Sequence, residues 1–196
     1  MKRSISLLLA LVTALSLSAC SRKDDRDNSS SSGSSSSSSS STVENRDMLA
    51  EGKSLQSIIE EISAGFESGA VYQPEEVNAE LIRTRYGLSD TMVDDYYGIY
   101  STADGYTDQI VAVRAKPGML EDVKRTLEKY RDDLAEQFKD KNENYAYDRI
   151  KNAQVYTRGD YAFLIAVNSL TPGSTATPMF DEDNKLVTEI INKSFL

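Results

Sequence analysis

Residues 29–41 are twelve serines and one glycine, Gly33. Such a tract has no apolar side chain to bury and nothing to offset the entropy of ordering, so it is expected to remain a flexible coil. It cuts the chain in two. Whatever folds must lie in residues 48–196, a length at which one domain buries roughly 68–70% of the surface exposed by its unfolded chain. That is enough for a single core without disulfide or metal staples.

The amino-terminal side has a different character. Met1-Lys2-Arg3 is a short positive start, and residues 5–17 are apolar except for Ser6, Thr13 and Ser16. A bilayer span needs about 20 apolar residues, so the run has instead the length and flanks of a secretory signal core. It ends in Leu17-Ser18-Ala19-Cys20, which resembles the lipobox of bacterial lipoproteins, and Cys20 is the only cysteine of the 196 residues. The resemblance implies that residues 1–19 are a signal peptide cut just before Cys20, whose sulfur carries a diacylglyceryl group. One acyl chain holds a protein to a membrane only marginally, whereas two hold it stably. The expected location is therefore extracytoplasmic, on the outer face of the cytoplasmic membrane or, in a diderm, on a periplasm-facing leaflet.

Residues 20–47 then read as a lipidated cysteine followed by a polar, Ser-rich tether. A flexible coil of this composition spans about 5–6 Å × √n, or roughly 25–30 Å for its two dozen residues. The serine tract has no proline, and its one threonine, Thr42, follows at its end, which argues against a glycosylated stalk.

Charge and composition narrow the function of the remainder. The chain has 22 Lys plus Arg and 31 Asp plus Glu, for a formal net charge of −9, and residues 42–196 hold 17 and 28 of these. An acidic domain is a poor ligand for nucleic acid, so no nucleic-acid partner is expected. There is no histidine, which removes Ser-His-Asp and Cys-His nucleophile systems and histidine zinc sites. A single cysteine allows no internal disulfide and no thiolate cluster.

Periodicity supplies the elements. Leu55, Ile58, Ile59, Ile62 and Phe66 predict a helix over 54–67, with Ser54 as cap. Pro74-Glu75-Glu76 reads as the opening of a second helix, since proline suits the first turn and acids suit the dipole. Residues 93–101 and 109–115 predict a hairpin. Leu120, Val123, Leu127, Tyr130, Leu134 and Phe138 mark a long helix from Pro117 to about Asp140. Residues 141–149 read as a polar loop. Residues 153–157 and 161–168 predict a second hairpin across Arg158-Gly159-Asp160, the second strand being apolar on both faces, as a central strand would be. Leu186, Val187, Ile190, Ile191 and Phe195 mark a last helix, with Asp183 as its cap. The expected fold is α+β: a small four-stranded antiparallel sheet of two hairpins, with helices packed mainly on one face.

Four segments carry a resemblance to a known family: TDQIVAVRA before the long helix, YRDDLAEQF within it, DRIKNAQV after it, and the GDYAFLIAV strand. Residues 106–168 resemble domain-of-unknown-function family 4358, lipoproteins of clostridial-type bacteria. The arrangement of lipobox, polar tether and small domain also fits. The family has no established activity, so the resemblance implies location and fold class and carries over no site residue.

Candidate sites were weighed individually. Tyr96, Tyr97, Tyr100 and Tyr106 crowd one hairpin and are the candidate ligand or interface residues, because aromatic rings stack on sugars and anchor interfaces; tyrosine is also an ordinary strand residue. Asp94, Asp95, Asp104, Asp108 and the run Asp181-Glu182-Asp183 raise calcium, but after Asp181 the fifth and sixth positions are Lys185 and Leu186, which breaks the EF-hand spacing. Arg158-Gly159-Asp160 spells an adhesion tripeptide and also has the residues a tight hairpin turn demands. No catalytic residue, cofactor or metal is assigned. The expected role is a non-enzymatic envelope module that binds a protein or cell-wall partner. The rival is an envelope enzyme or substrate-capturing protein using Asp or Glu with Tyr, which requires a Tyr-lined pocket holding at least two carboxylates.

Overall fold

The computed structural model describes residues 48–141, 143–170 and 173–196. The expected signal peptide, Cys20 and the serine tether lie outside the described residues.

Helix α1 (Leu55–Ala64) starts on a reciprocal cap. Ser57 N–H donates to Ser54 Oγ at 3.1 Å, and Ser54 N–H donates to Ser57 Oγ at 2.9 Å. These bonds satisfy two of the donors that a helix start leaves open. Strand β1 (Pro74–Glu76) and the short helix α2 (Ala79–Thr84) follow. Then come β2 (Val93–Ser101), β3 (Gln109–Ala115), the long helix α3 (Leu120–Phe138), a 3-10 turn (Glu143–Tyr145), α4 (Ala146–Lys151), β4 (Gln154–Arg158), β5 (Tyr161–Ala166) and α5 (Phe180–Lys193). Among the described residues no helix is long and apolar enough to cross a membrane.

The sheet has five strands, not four, in the order β1-β2-β3-β5-β4, and every neighbouring pair is antiparallel. The extra strand is Pro74-Glu75-Glu76, which opens no helix. It pairs with Ser101, Tyr100 and Ile99 of β2, and Val77 N–H continues the ladder onto Gly98 O at 2.8 Å. The helix begins only after Asn78, whose Oδ1 accepts from the N–H groups of Glu80 and Leu81 at 3.0 Å. An edge strand tolerates a proline, and exposed acids discourage a further strand from adding. The features that suggested a helix start therefore also suit a sheet edge.

The helices also lie on both faces of the sheet rather than mainly on one. Ile110 and Ala112 of β3, with Phe163 and Ile165 of β5, pack against Leu55, Ile58, Ile59 and Ile62 of α1 and Val187 and Ile191 of α5. The alternate residues Val111, Val113, Ala162, Leu164 and Ala166 pack against Ile82 of α2, Val123 and Leu127 of α3 and Ile150 of α4. All six residues of β5 are buried, and so are six of the seven in β3. Two strands apolar on both sides require a covering layer on each. The result is a three-layer α+β sandwich.

Two smaller readings change as well. Residues 146–149 of the expected polar loop, with the two that follow, form α4, which has just three buried residues, Ala146, Arg149 and Ile150, too few to show a helical period. Asp183 does not cap α5. It lies within the first turn, is buried, and its Oδ2 accepts from Ser169 N–H at 2.8 Å, tying the preceding loop to the helix. Arg158-Gly159-Asp160 forms the β4–β5 turn, with Gly159 at φ 54°, and the Arg158 guanidinium bonds Asn192 Oδ1 at 2.6 Å.

Candidate functional site

The structure sends the four candidate tyrosines to three places. Tyr96 and Tyr100 lie on the α3 face of the sheet. Tyr96 lines an open groove with Ala79, Arg83, Asp90, Asp94 and Lys116, and the Tyr100 ring lies 4.6 Å beneath the Arg85 guanidinium. Tyr97 lies on the α1 face, its hydroxyl donating to Glu76 Oε1 at 3.0 Å. Tyr106 lies in the loop between β2 and β3, off both strands. It stacks on Tyr72 with ring centroids 4.6 Å apart and an interplanar angle of 34°.

That stack borders a cluster that no local sequence pattern marks. β3 is preceded by Thr107 and Asp108 and begins with Gln109, and all three are buried although polar. Each holds a different part of the fold. Thr107 Oγ1 donates to Ala146 O at 2.8 Å, at the start of α4. Gln109 Oε1 accepts from the Tyr130 hydroxyl of α3 at 3.0 Å, and that hydroxyl accepts from Arg85 Nε at 3.0 Å. Asp108 Oδ2 accepts from Tyr72 N–H at 3.1 Å, while its Oδ1 lies 2.5 Å from Arg149 Nη1.

The side chains of Asp108 and Arg149 are only 7% and 4% exposed. Their contact is a charge-assisted pairing in which Arg149 Nη1 and Asp108 Oδ1 are each other's partners, whereas Arg149 Nε has none. Across from them, just past β5, Asn168 is 5% exposed. Its Oδ1 accepts from Leu170 N–H at 2.8 Å, and its Nδ2 is likewise unpartnered. The ion pair and these two unpartnered atoms belong to residues that line one cleft of about 20 Å³, whose other walls include Ser68, Gly69, Tyr72 and Tyr106. Buried polar atoms left unpaired cost about 1–3 kcal/mol each, so two beside a buried ion pair mark the site as unusual.

The electrostatics agree with that geometry. Burial pushes the Asp108 carboxyl above its ordinary range, opposed by the Arg149 charge and the Tyr72 N–H. Burial pulls Arg149 below its ordinary value, opposed by Asp108. The Tyr106 hydroxyl is raised by burial, and then by Tyr72 and Asp108.

Backbone strain gathers here too. Gln73, Asn144 and Tyr145 are the non-glycine residues with positive φ among those described, at 46°, 50° and 59°. Gln73 follows the residue whose N–H holds Asp108, and Asn144-Tyr145 launch the helix that carries Arg149. Left-handed backbone is unfavourable for a bulky residue such as tyrosine and persists where surrounding contacts over-determine it. One such contact is the Tyr145 hydroxyl bond to Ala176 O at 3.0 Å.

Of these residues, only Tyr106 and Asp108 stood among the sequence candidates, and Asp108 did so only as a calcium ligand. The one available signal for the rest was a polar Thr-Asp-Gln run placed directly before an apolar strand. Among the described residues, no three acidic or cysteine side chains converge as a metal set.

The fold and the cluster together define a three-layer α+β domain with a buried ion-pair cleft at one end of its sheet. The family model for Domain of unknown function (DUF4358) matches residues 67–167, just over half of the chain, and the chain belongs to that family. The matched span runs from before β1 to the end of β5 and contains Tyr72, Tyr106, Asp108 and Arg149; α1 and α5 fall outside it. No curated protein and no solved structure matches the chain.

Proposed function

We propose that this chain is a clostridial-type lipoprotein, held outside the cytoplasm by lipid on Cys20, whose domain is a non-enzymatic binding module of the cell envelope. The anchoring part rests on Leu17-Ser18-Ala19-Cys20, the apolar run before it and the serine tract after it. The binding part rests on one observation. Arg149 Nε and Asn168 Nδ2 are without partners in residues that line the same cleft, beside the Asp108–Arg149 ion pair. A site that keeps two donors buried and unpaired is built to receive a polar group that accepts hydrogen bonds.

The enzymatic rival needs two carboxylates over a substrate-sized pocket. Asp108 has the raised pKa that such chemistry uses. It is, however, the one carboxylate lining the cleft, and the space holds about one water; the open groove at Tyr96 has two, Asp90 and Asp94, but each is ion-paired at the surface, with Arg83 at 3.2 Å and Arg114 at 2.7 Å. That arrangement favours retention of a ligand over its conversion.

The test is co-purification from detergent-solubilised envelope, using the full chain and its Asn168→Asp variant, which exchanges the unpartnered donor for an acceptor at nearly constant volume. An envelope component held by the parent and lost by the variant is expected. Equal retention by both, or turnover of cell-wall material by the purified chain, contradicts the reading.

A further inference from the structure

The cleft specifies the kind of group it takes. Two donors, Arg149 Nε and Asn168 Nδ2, are unpartnered in residues that line it, and Asp108 Oδ1, paired with Arg149 Nη1, keeps a second lone pair. A complementary group must therefore accept hydrogen bonds, and one that also donates uses the spare lone pair of Asp108. Its volume of about 20 Å³ admits a single oxygen-sized group, which excludes a whole carboxamide or guanidinium from the interior. Charge excludes an anion. Asp108 and Arg149 neutralise one another, and an incoming carboxylate or phosphate would meet Asp108 at the wall within a domain that is acidic throughout. A hydroxyl satisfies all three conditions: its proton goes to Asp108 Oδ1 and its lone pairs accept from Arg149 and Asn168.

The rim adds the second half of the specification. Tyr72 and Tyr106 are half-buried, packed ring on ring, and both are among the residues that line the cleft. Aromatic faces of this kind offer a large apolar surface at low entropic cost, suited to the C–H face of a sugar ring whose hydroxyl points inward.

We propose that the Asp108–Arg149–Asn168 cleft is a saccharide subsite, taking one hydroxyl of a neutral sugar whose ring lies against the Tyr72–Tyr106 pair. The inference rests on the binding-module reading above and names its ligand class.

The experiment is saturation-transfer NMR on the full chain in a sugar-free detergent, with glucose, galactose and N-acetylglucosamine as probes and sodium acetate and acetamide beside them. Transfer to the ring protons of at least one sugar is expected, together with a shift of the Arg149 Nε–H resonance. Tyr106→Ala and Asn168→Asp should each weaken that binding at least tenfold while circular dichroism shows the fold retained. The Arg149 resonance serves as a readout that needs no variant. Sugar binding that leaves this resonance and both variants unaffected lies elsewhere and overturns the proposal. Acetate or acetamide binding at the cleft with the sugars silent overturns the saccharide assignment and leaves the binding module standing. If no probe moves the Arg149 resonance, the cleft holds a structural water only, and both readings of it fall.

Discussion

Asp108, one residue before β3, and Arg149, within α4, meet at 2.5 Å with both side chains almost wholly out of water. Taking one charge of such a pair away leaves the other buried and uncompensated, at a cost of about 3–5 kcal/mol, whereas replacing both with apolar or neutral groups is far milder. Arg149→Met is therefore expected to lower the unfolding free energy by that amount. Asp108→Asn combined with Arg149→Met should recover most of the loss. Urea titration of the four proteins measures the coupling, and additive effects would show that the two groups do not act as a pair.

The same burial sets a pH dependence. The Asp108 carboxyl titrates above its ordinary value of 3.8. Between the ordinary and the raised value, the folded chain holds a proton that the unfolded chain has released. This group therefore stabilises the fold as pH falls, and its contribution is lost as pH rises through the raised value. The stability of the parent minus that of Asp108→Asn is expected to grow from pH about 7 toward about 4, since the other acids are common to both. A difference that shrinks on acidification would mean that Arg149 outweighs desolvation.

A three-layer arrangement makes both faces of the sheet essential. Ile59 of α1 packs on one and Leu127 of α3 on the other, each essentially without solvent exposure. Truncating either to alanine should cost about 2–5 kcal/mol, the range for deep aliphatic positions. Thermal unfolding of Ile59→Ala and Leu127→Ala tests this. If only one of them is destabilising, the helix on the other face is not part of the core.

Gly98 is required by close approach and not by its backbone angles. A Cβ there would stand 3.0 Å from Val77 Cγ2, 3.1 Å from Ile110 O and 3.2 Å from Val111 Cγ2. Gly98→Ala should lose about 1–3 kcal/mol by overpacking, and Val77→Ala in the same chain should relieve part of it. A neutral Gly98→Ala in denaturant titration would show that the chain from β1 to α2 does not cross β2 here.

Elements with a repeating pattern could be read from residues alone. The run 93–101, rich in tyrosine and β-branched residues, and the apolar run 109–115 match β2 and β3 at both ends, and the three-and-four spacing from Leu120 to Phe138 matches α3. What escaped was short or long-range. β1 is three exposed residues joined to β2 by backbone bonds, so no side-chain period announces it. The apolar character of both sides of β5 was visible, yet it demands two helical layers, and the one-faced arrangement did not follow that demand through. The cleft was hidden for a different reason. Asp108 lies in the β2–β3 connection, Arg149 in α4 and Asn168 just past β5, and they meet only once β3 and β5 have paired. Their partnership belongs to the topology and to no local spacing.

Mass spectrometry of the amino-terminal peptide of the full chain, expressed with its own leader and recovered from bacterial membranes, tests the lipid anchor directly. A chain beginning at Cys20 with a diacylglyceryl thioether on the sulfur is expected, and an unprocessed or unanchored product for Cys20→Ala. A free Cys20 thiol on a membrane-bound or secreted product, or trimming and membrane retention unchanged in Cys20→Ala, would contradict it.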